Sequence, residues 1–220
     1  MKNVLCYGDS NTYGYDGVTG NRFPWGVRWT SLVQEALKEE QVRIIEEGQN
    51  GRTTVWDDPI EGMKSGLKYL IPCLESHSPL DVVVLMLGTN DIKQRFSLSA
   101  SDVAAGAETL VKTIKMYFRE NREPVPEILL VSPLKIREEI VDHKFSPMFG
   151  GERAVKISEE LAGYYRETAK RQGCAFLDAA SVTMPGAEDS VHLDPEGHRV
   201  FAEAVTEKLR EILRERKEIN

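Results

Sequence analysis

Two rhythms of apolar and polar positions run along the chain. Short runs that are apolar at nearly every position predict strands at residues 4–7, 42–45, 81–87, 127–131 and 174–177. The run at 81–87, DVVVLML between Pro79 and Gly88, is the plainest. A segment apolar on both faces suits a buried strand of a parallel sheet. Between the strands lie stretches of helical periodicity. One covers residues 25–40, with Leu32, Val33, Ala36 and Leu37 on one face, and others cover 60–74, 101–118 and 153–171. Ser101 is the expected N-cap of the third. A last helix opens at Asp194-Pro195, with Asp as N-cap and Pro in the first turn, and runs to about residue 217.

Strand and helix alternate over five strands, which predicts a three-layer α/β sandwich around a parallel sheet. The expected strand order is flavodoxin-like, 2-1-3-4-5, in which ligands meet the carboxyl ends of the strands beside strand 1. The longest irregular stretch, residues 135–151, follows strand 4 and so leaves the sheet on that same side, as a lid or pocket wall. No internal repeat or linker is visible, and a single domain over residues 1–220 is expected.

Polar residues suited to chemistry follow these strands. Gly8-Asp9-Ser10-Asn11-Thr12 comes directly after strand 1 and puts a hydroxyl at the switch point. Gln49-Asn50-Gly51-Arg52-Thr53 follows strand 2, and Gly51 offers a backbone N–H that a ligand can approach closely. Gly88-Thr89-Asn90-Asp91 follows strand 3, and the Asn90 amide suits a developing oxyanion. Of four histidines, His77 precedes strand 3, at the opposite end of the sheet. His143 lies in the long irregular stretch and stays open as a base. His198 falls inside the last helix, where a surface or packing role is expected. His192 lies in the loop after strand 5, three residues beyond Asp189, so one loop brings carboxylate and imidazole together. Each motif alone also has a reading as a turn or a helix cap; their joint occurrence after strands 1, 2, 3 and 5 points to acyl transfer.

Composition narrows the function classes. A formal net charge of -7 argues against nucleic-acid or anionic-membrane partners. No apolar run approaches the ~20 residues of a membrane span. The chain begins with a strand and a polar motif where a signal peptide would place an apolar segment, so a cytoplasmic protein is expected. Cys6, Cys73 and Cys174 are widely spaced, and no cluster has metal-ligand spacing. No metal and no organic cofactor is expected.

Ser10, Gly51, Asn90 and His192 occur in the order that resembles the SGNH (GDSL-like) hydrolase superfamily. Gly8-Asp9-Ser10 matches its first block, with Asn11 where the name-giving pattern has Leu. Gly51 matches the second block, Gly88-x-Asn90-Asp91 the third, and Asp189-x-x-His192 the last. Val27-Arg28-Trp29-Thr30, Glu46-Glu47-Gly48, Arg52-Thr53-Thr54 with Asp57-Asp58-Pro59, and Met86-Leu87 ahead of the third block look like its bacterial arylesterase/acyltransferase branch. The resemblance implies Ser10 as nucleophile, His192 as base and Asp189 as its partner. It also implies an oxyanion hole of the Ser10 and Gly51 N–H groups with the Asn90 side chain. The expected substrates are small short-chain or aryl esters, with water or an alcohol as acceptor, and the branch implies a homo-oligomer.

Asn11, Tyr15, Trp25, Trp56 and Arg52 are candidate pocket residues, flanking the motifs as aromatics or as a cation for an anionic substrate. A surface or ion-pair role for Arg52 is the stronger expectation. Phe23, Trp25 and Trp29 offer more aromatic surface than a small site needs, so residues 12–29 and 135–151 are expected at a subunit contact. A carbohydrate O-deacetylase would share every catalytic residue. A non-catalytic flavodoxin-like binding module has no need for them, and no phosphate-binding glycine motif is present.

Overall fold

The computed structural model describes residues 1–219, with side-chain surroundings given through residue 215. Five strands, β1 (Lys2–Gly8), β2 (Val42–Gly48), β3 (Val82–Met86), β4 (Glu127–Ser132) and β5 (Ala175–Asp178), form one parallel sheet in the order β2-β1-β3-β4-β5. This is the expected order. Among the described residues seven α-helices accompany them: α1 (Ser10–Tyr13), α2 (Trp29–Ala36), α3 (Gly66–His77), α4 (Ala100–Glu120), α5 (Ser146–Phe149), α6 (Glu152–Gln172) and α7 (Pro195–Ile219).

Strand alternation divides the core between two faces. Leu5 and Tyr7 of β1 with Val83 and Leu85 of β3 pack toward α3, α4 and α6, against Leu70, Leu110 and Leu161. Val4 and Cys6 with Val82, Val84 and Met86 pack toward α2 and α7, against Val33, Phe201 and Leu209. All five residues of β3 are buried, as its unbroken apolar run predicts. Between the strand ends, Gly8 pairs with Gly48 on one side and Met86 on the other. The loops that follow β1, β2 and β3 therefore leave the sheet side by side.

The main departures from the sequence reading lie at the starts of three helices. The helix expected over 25–40 is formed only at Trp29–Ala36, because Pro24 and Gly26 (φ +88°) hold the preceding segment out of helix. The helix expected from residue 60 starts at Gly66, since Gly62 and Met63 both take positive φ. The cap of α4 is Ser99, not Ser101: Ser99 Oγ accepts the Asp102 N–H and Asp102 accepts the Ser99 N–H, a reciprocal capping box.

Trp29 and His198 join α2 to α7. Trp29 is fully buried, edge-on to Phe201 at 5.2 Å. Its backbone N–H donates to His198 Nδ1 at 3.2 Å, and Phe23 meets the His198 ring edge-on at 5.5 Å. His198 thus has the packing role rather than a surface one. Accepting at Nδ1 fixes the neutral ring, and burial pushes its pKa down to about 3. The unfolded chain takes up that proton near pH 6.5. Between these values only the unfolded state carries it, so stability is complete above about pH 6.5 and falls as pH drops toward 3. The expected slope is up to about 1.4 kcal/mol per pH unit. Urea unfolding across this window should show that component in the wild type and lose it in His198→Gln; equal slopes would refute it.

Candidate active site

The segment after β1 is organised by its own short side chains. Asp9 caps α1, its Oδ1 accepting the Asn11 N–H at 3.0 Å, and makes Ser10 the first helical residue. At that position a backbone N–H has no intrahelical acceptor. Asn11 is buried. Its Oδ1 accepts the Leu193 N–H at 2.9 Å, its Nδ2 donates to the Val191 carbonyl at 3.3 Å, and its carbonyl takes the Trp29 indole N–H at 3.1 Å. Asn11 therefore ties the loop before α7 to the end of β1, instead of lining a pocket as expected.

That loop carries Asp189 and His192. Asp189 Oδ1 accepts two backbone N–H groups, from Val191 and His192, both at 2.9 Å. Oδ2 lies 2.6 Å from His192 Nδ1, and His192 Nε2 lies 2.8 Å from Ser10 Oγ. Burial raises the Asp189 pKa, but the hydrogen bond from His192 and the charge it can carry outweigh this and hold the carboxyl below its usual range. An ionised Asp189 can only accept, so Nδ1 carries the proton and Nε2 accepts from the Ser10 hydroxyl. His192 rather than His143 is the imidazole that meets Ser10.

Two loops grip the His192 ring. Tyr15 lies against it at 4.5 Å between centroids with the rings tilted by 46°, and Phe145 meets it edge-on at 5.9 Å. Phe145 belongs to the stretch expected to be irregular, which instead contains a 3₁₀ turn at Glu138–Asp142 and the single turn α5. The Lys144 ammonium reaches the Gly17 carbonyl at 3.5 Å, joining the loops. Gly17 itself abuts Asp189: a Cβ there would stand 2.6 Å from Oδ2.

The other side of Ser10 is built from the loops after β2 and β3. Gly51 occupies a turn closed by Arg52 N–H to the Gln49 carbonyl at 3.1 Å, with φ +81° and the Glu61 carboxylate where a Cβ would be. Asn90 starts a 3₁₀ turn, and its Nδ2 donates to the Arg52 carbonyl at 3.1 Å. Asp91 is buried and accepts the Thr54 N–H at 3.0 Å together with the Thr54 hydroxyl. Burial pushes its pKa up to about 7, against the pull of those donors.

Arg52 is neither a substrate contact nor a surface ion pair. It is 2% exposed, donates to the Gly8 carbonyl at 2.9 Å and to the Glu47 carbonyl, and lies 4.3 Å over the Tyr7 ring. Trp25 is 55% exposed with the Arg28 guanidinium over its ring, and Trp56 is 39% exposed. Neither is packed against His192; of the five expected pocket residues only Tyr15 is.

A family model described as the GDSL-like lipase/acylhydrolase family matches residues 6–200. The chain belongs to that family. It is a carboxylic ester hydrolase. Solved structures similar to this GDSL-like hydrolase include a carbohydrate acetylesterase family member from Sinorhizobium meliloti (37% identity, 97% of this chain and 99% of that chain, TM-score 0.87). A carbohydrate acetylesterase of the same organism is 33% identical (96% and 100%, TM-score 0.89), and the M. smegmatis aryl esterase is 34% identical (96% and 100%, TM-score 0.87). No curated protein matches at a significant level.

The sequence reading of this hydrolase missed Gly17, Phe145 and the supporting part of Asp91. It also missed a buried ionic group in which Asp58 meets Arg95 at 2.8 Å and Lys93 at 3.7 Å, while Lys93 also pairs with Glu61. Glu61 is the residue beside Gly51, so this group holds that turn in place. Asp58 and Asp91 carried a signal, within the Asp57-Asp58-Pro59 and Gly88-x-Asn90-Asp91 blocks; contacts made by apolar or glycine positions in distant loops leave none.

Gly17 gives a sharp test. Gly17→Ala should displace the Asp189 carboxylate and lower kcat by about 10²-fold with little change in unfolding midpoint. Near-wild-type kcat would show that the contact is slack.

Proposed function

We propose that this protein hydrolyses small acyl esters through an acyl-enzyme on Ser10, with His192 as general base and Asp189 as its orienting partner. The observation that carries this reading is the unbroken chain from Asp189 through His192 to Ser10, at 2.6 and 2.8 Å. His192 Nε2 takes the hydroxyl proton as Ser10 Oγ attacks the ester carbonyl. The imidazolium so formed is stabilised by Asp189, which stays ionised. His192 then protonates the leaving alcohol, and water enters under the same base to release the acid and restore Ser10.

The oxyanion would be held by the N–H groups of Ser10 and Gly51 and by Asn90. The Asn90 amide has two hydrogens, and one is committed to the Arg52 carbonyl. The second is available, and its direction is fixed by the first. Such pre-set donors stabilise charge without reorganising.

Tyr15 and Phe145, at the two sides of His192, would confine the acyl group and favour short or aryl esters. An alcohol able to enter beside them would compete with water, giving acyl transfer. An acetyl group on a carbohydrate is equally a short ester, and the two acetylesterase likenesses favour keeping that substrate class in the test. A cytoplasmic setting suits the three free thiols. Among the described residues no helix is long and apolar enough to cross a membrane.

Ser10→Ala should abolish turnover and labelling by a fluorophosphonate while leaving the unfolding curve intact. Asn90→Ala should keep labelling but lose about 10²–10³ in kcat. Residual esterase activity in Ser10→Ala would refute the nucleophile. A panel of aryl, alkyl and sugar acetates, each with and without an added alcohol, ranks the substrate classes.

The reading includes a homo-oligomer. Trp29 and Phe23 are used inside the subunit, which removes part of the aromatic surplus that suggested association. Trp25, Val18 and Val141 remain exposed on the two segments expected at the contact. Light scattering at micromolar concentration should give a mass above the 24.8 kDa chain; a clean monomer would refute association.

A further inference from the structure

Away from Ser10, one group of metal-competent side chains stands out between the edge strand β2 and helix α3. Cys73 and His77 are four residues apart on α3, so both side chains project from one face, toward β2. Glu47, near the end of β2, completes the group. One ligand atom from each lies within 4.8 Å of the others, and His77 Nε2 is 2.7 Å from Glu47 Oε1. Cys73 is fully buried, while the His77 and Glu47 side chains are 25% and 19% exposed. The thiol therefore forms the floor of the group and the other two its open rim.

We propose that Glu47, Cys73 and His77 form a binding site for a borderline-soft divalent cation of the zinc type. The chemistry of the set carries the assignment. One sulfur, one imidazole nitrogen and one carboxylate oxygen are a zinc-like donor combination. Thiolate and carboxylate together neutralise a dication. On binding, the Cys73 thiol proton passes to buffer and the sulfur binds as thiolate, while His77 binds as the neutral ring. Burial and the Glu47 charge push the Cys73 thiol up to about 12 against the weaker pull of the Arg52 guanidinium, so the cation itself has to displace the thiol proton.

The geometry requires a modest adjustment. Ligand atoms around a tetrahedral zinc stand about 3.3–3.8 Å apart, as follows from bonds of ~2.0–2.3 Å. The Glu47–His77 hydrogen bond must open and the sulfur draw in. His77 is the last residue of α3 and Glu47 has a flexible side chain, so both can turn without moving the helix. The fourth position faces the open rim and would be filled by water. None of the three residues has a part in the ester chemistry, so the site is structural: it would clamp α3 to β2 behind Arg52, whose guanidinium donates to the Glu47 carbonyl.

The test uses the full-length protein without an affinity tag, titrated with Co²⁺ as a spectroscopic probe and with Zn²⁺ in competition. The expected result is one equivalent of Co²⁺ bound with a thiolate-to-cobalt charge-transfer band, displaced by Zn²⁺. The band should vanish in Cys73→Ser and in His77→Gln and persist in Cys174→Ser. Zn²⁺ should raise the unfolding temperature of the wild type and not of His77→Gln, whose esterase activity should stay near wild type. If Cys73→Ser does not fold, His77→Gln and Glu47→Gln decide by the same band. Absence of the band in the wild type, or its survival in His77→Gln, overturns the proposal.

Discussion

Every arrangement around Ser10 depends on how the Asp189 carboxylate is saturated. It accepts two backbone N–H groups through one oxygen and the imidazole N–H through the other. The first pair of bonds bends the loop so that the third can form within three residues. Burial would otherwise drive this carboxyl to its neutral form. A neutral Asp189 would neither select the Nδ1-protonated tautomer nor balance an imidazolium. The remaining contacts serve this one. Asn11 binds the loop at Val191 and Leu193, on either side of His192, and Gly17 leaves room for Oδ2 where any side chain would intrude.

The donors on the other side of Ser10 follow a different logic, because nothing there has to move a proton. Arg52 bridges the carbonyls of Gly8 and Glu47, so the ends of β1 and β2 share one cation. Its own carbonyl then fixes Asn90, and Asp91 next to it fixes Thr54. The three loops cross-brace one another through buried bonds that avoid solvent screening. In the proposed reaction, substrate charge would then develop against groups already in place.

The sequence made the sheet and its order legible because strand periodicity and parallel burial act locally on the chain. The meeting of Ser10, Asp189 and His192 was legible for a related reason: Ser10 follows the end of β1 directly, and Asp189 and His192 are three residues apart in the one loop before α7. Arg52 was misread as a surface or ligand group because side-chain type alone does not say what it meets. Its partners are backbone carbonyls, and a carbonyl has no sequence signature. Helix starts at 25 and 60 were overestimated because apolar residues at helical spacing outvoted Gly26 and Gly62, whose positive φ is decided by the loop path. Phe145 and Gly17 act on His192 and Asp189 from loops remote in sequence, and their types indicate only packing and flexibility.

Three aspartates lie buried at the carboxyl ends of the strands, and their surroundings sort them by task. Burial raises the pKa of each. For Asp9 and Asp91 that effect prevails over the backbone and hydroxyl donors around them, and the Asp9 charge is a further penalty at Asp91. The His192 charge also acts on Asp9, but of the three it is Asp189 that takes a hydrogen bond from the imidazole, and there the balance reverses. An Asp91 carboxyl pushed up to about 7 suits a brace, since it would add little fixed charge close to the proposed oxyanion. A carboxylate held ionised suits the imidazolium it faces, and it is placed behind His192, where the ring separates it from that oxyanion. In the proposed reaction, opposite pKa shifts within one small cluster would thus keep negative charge where a cation forms and limit it where an anion forms.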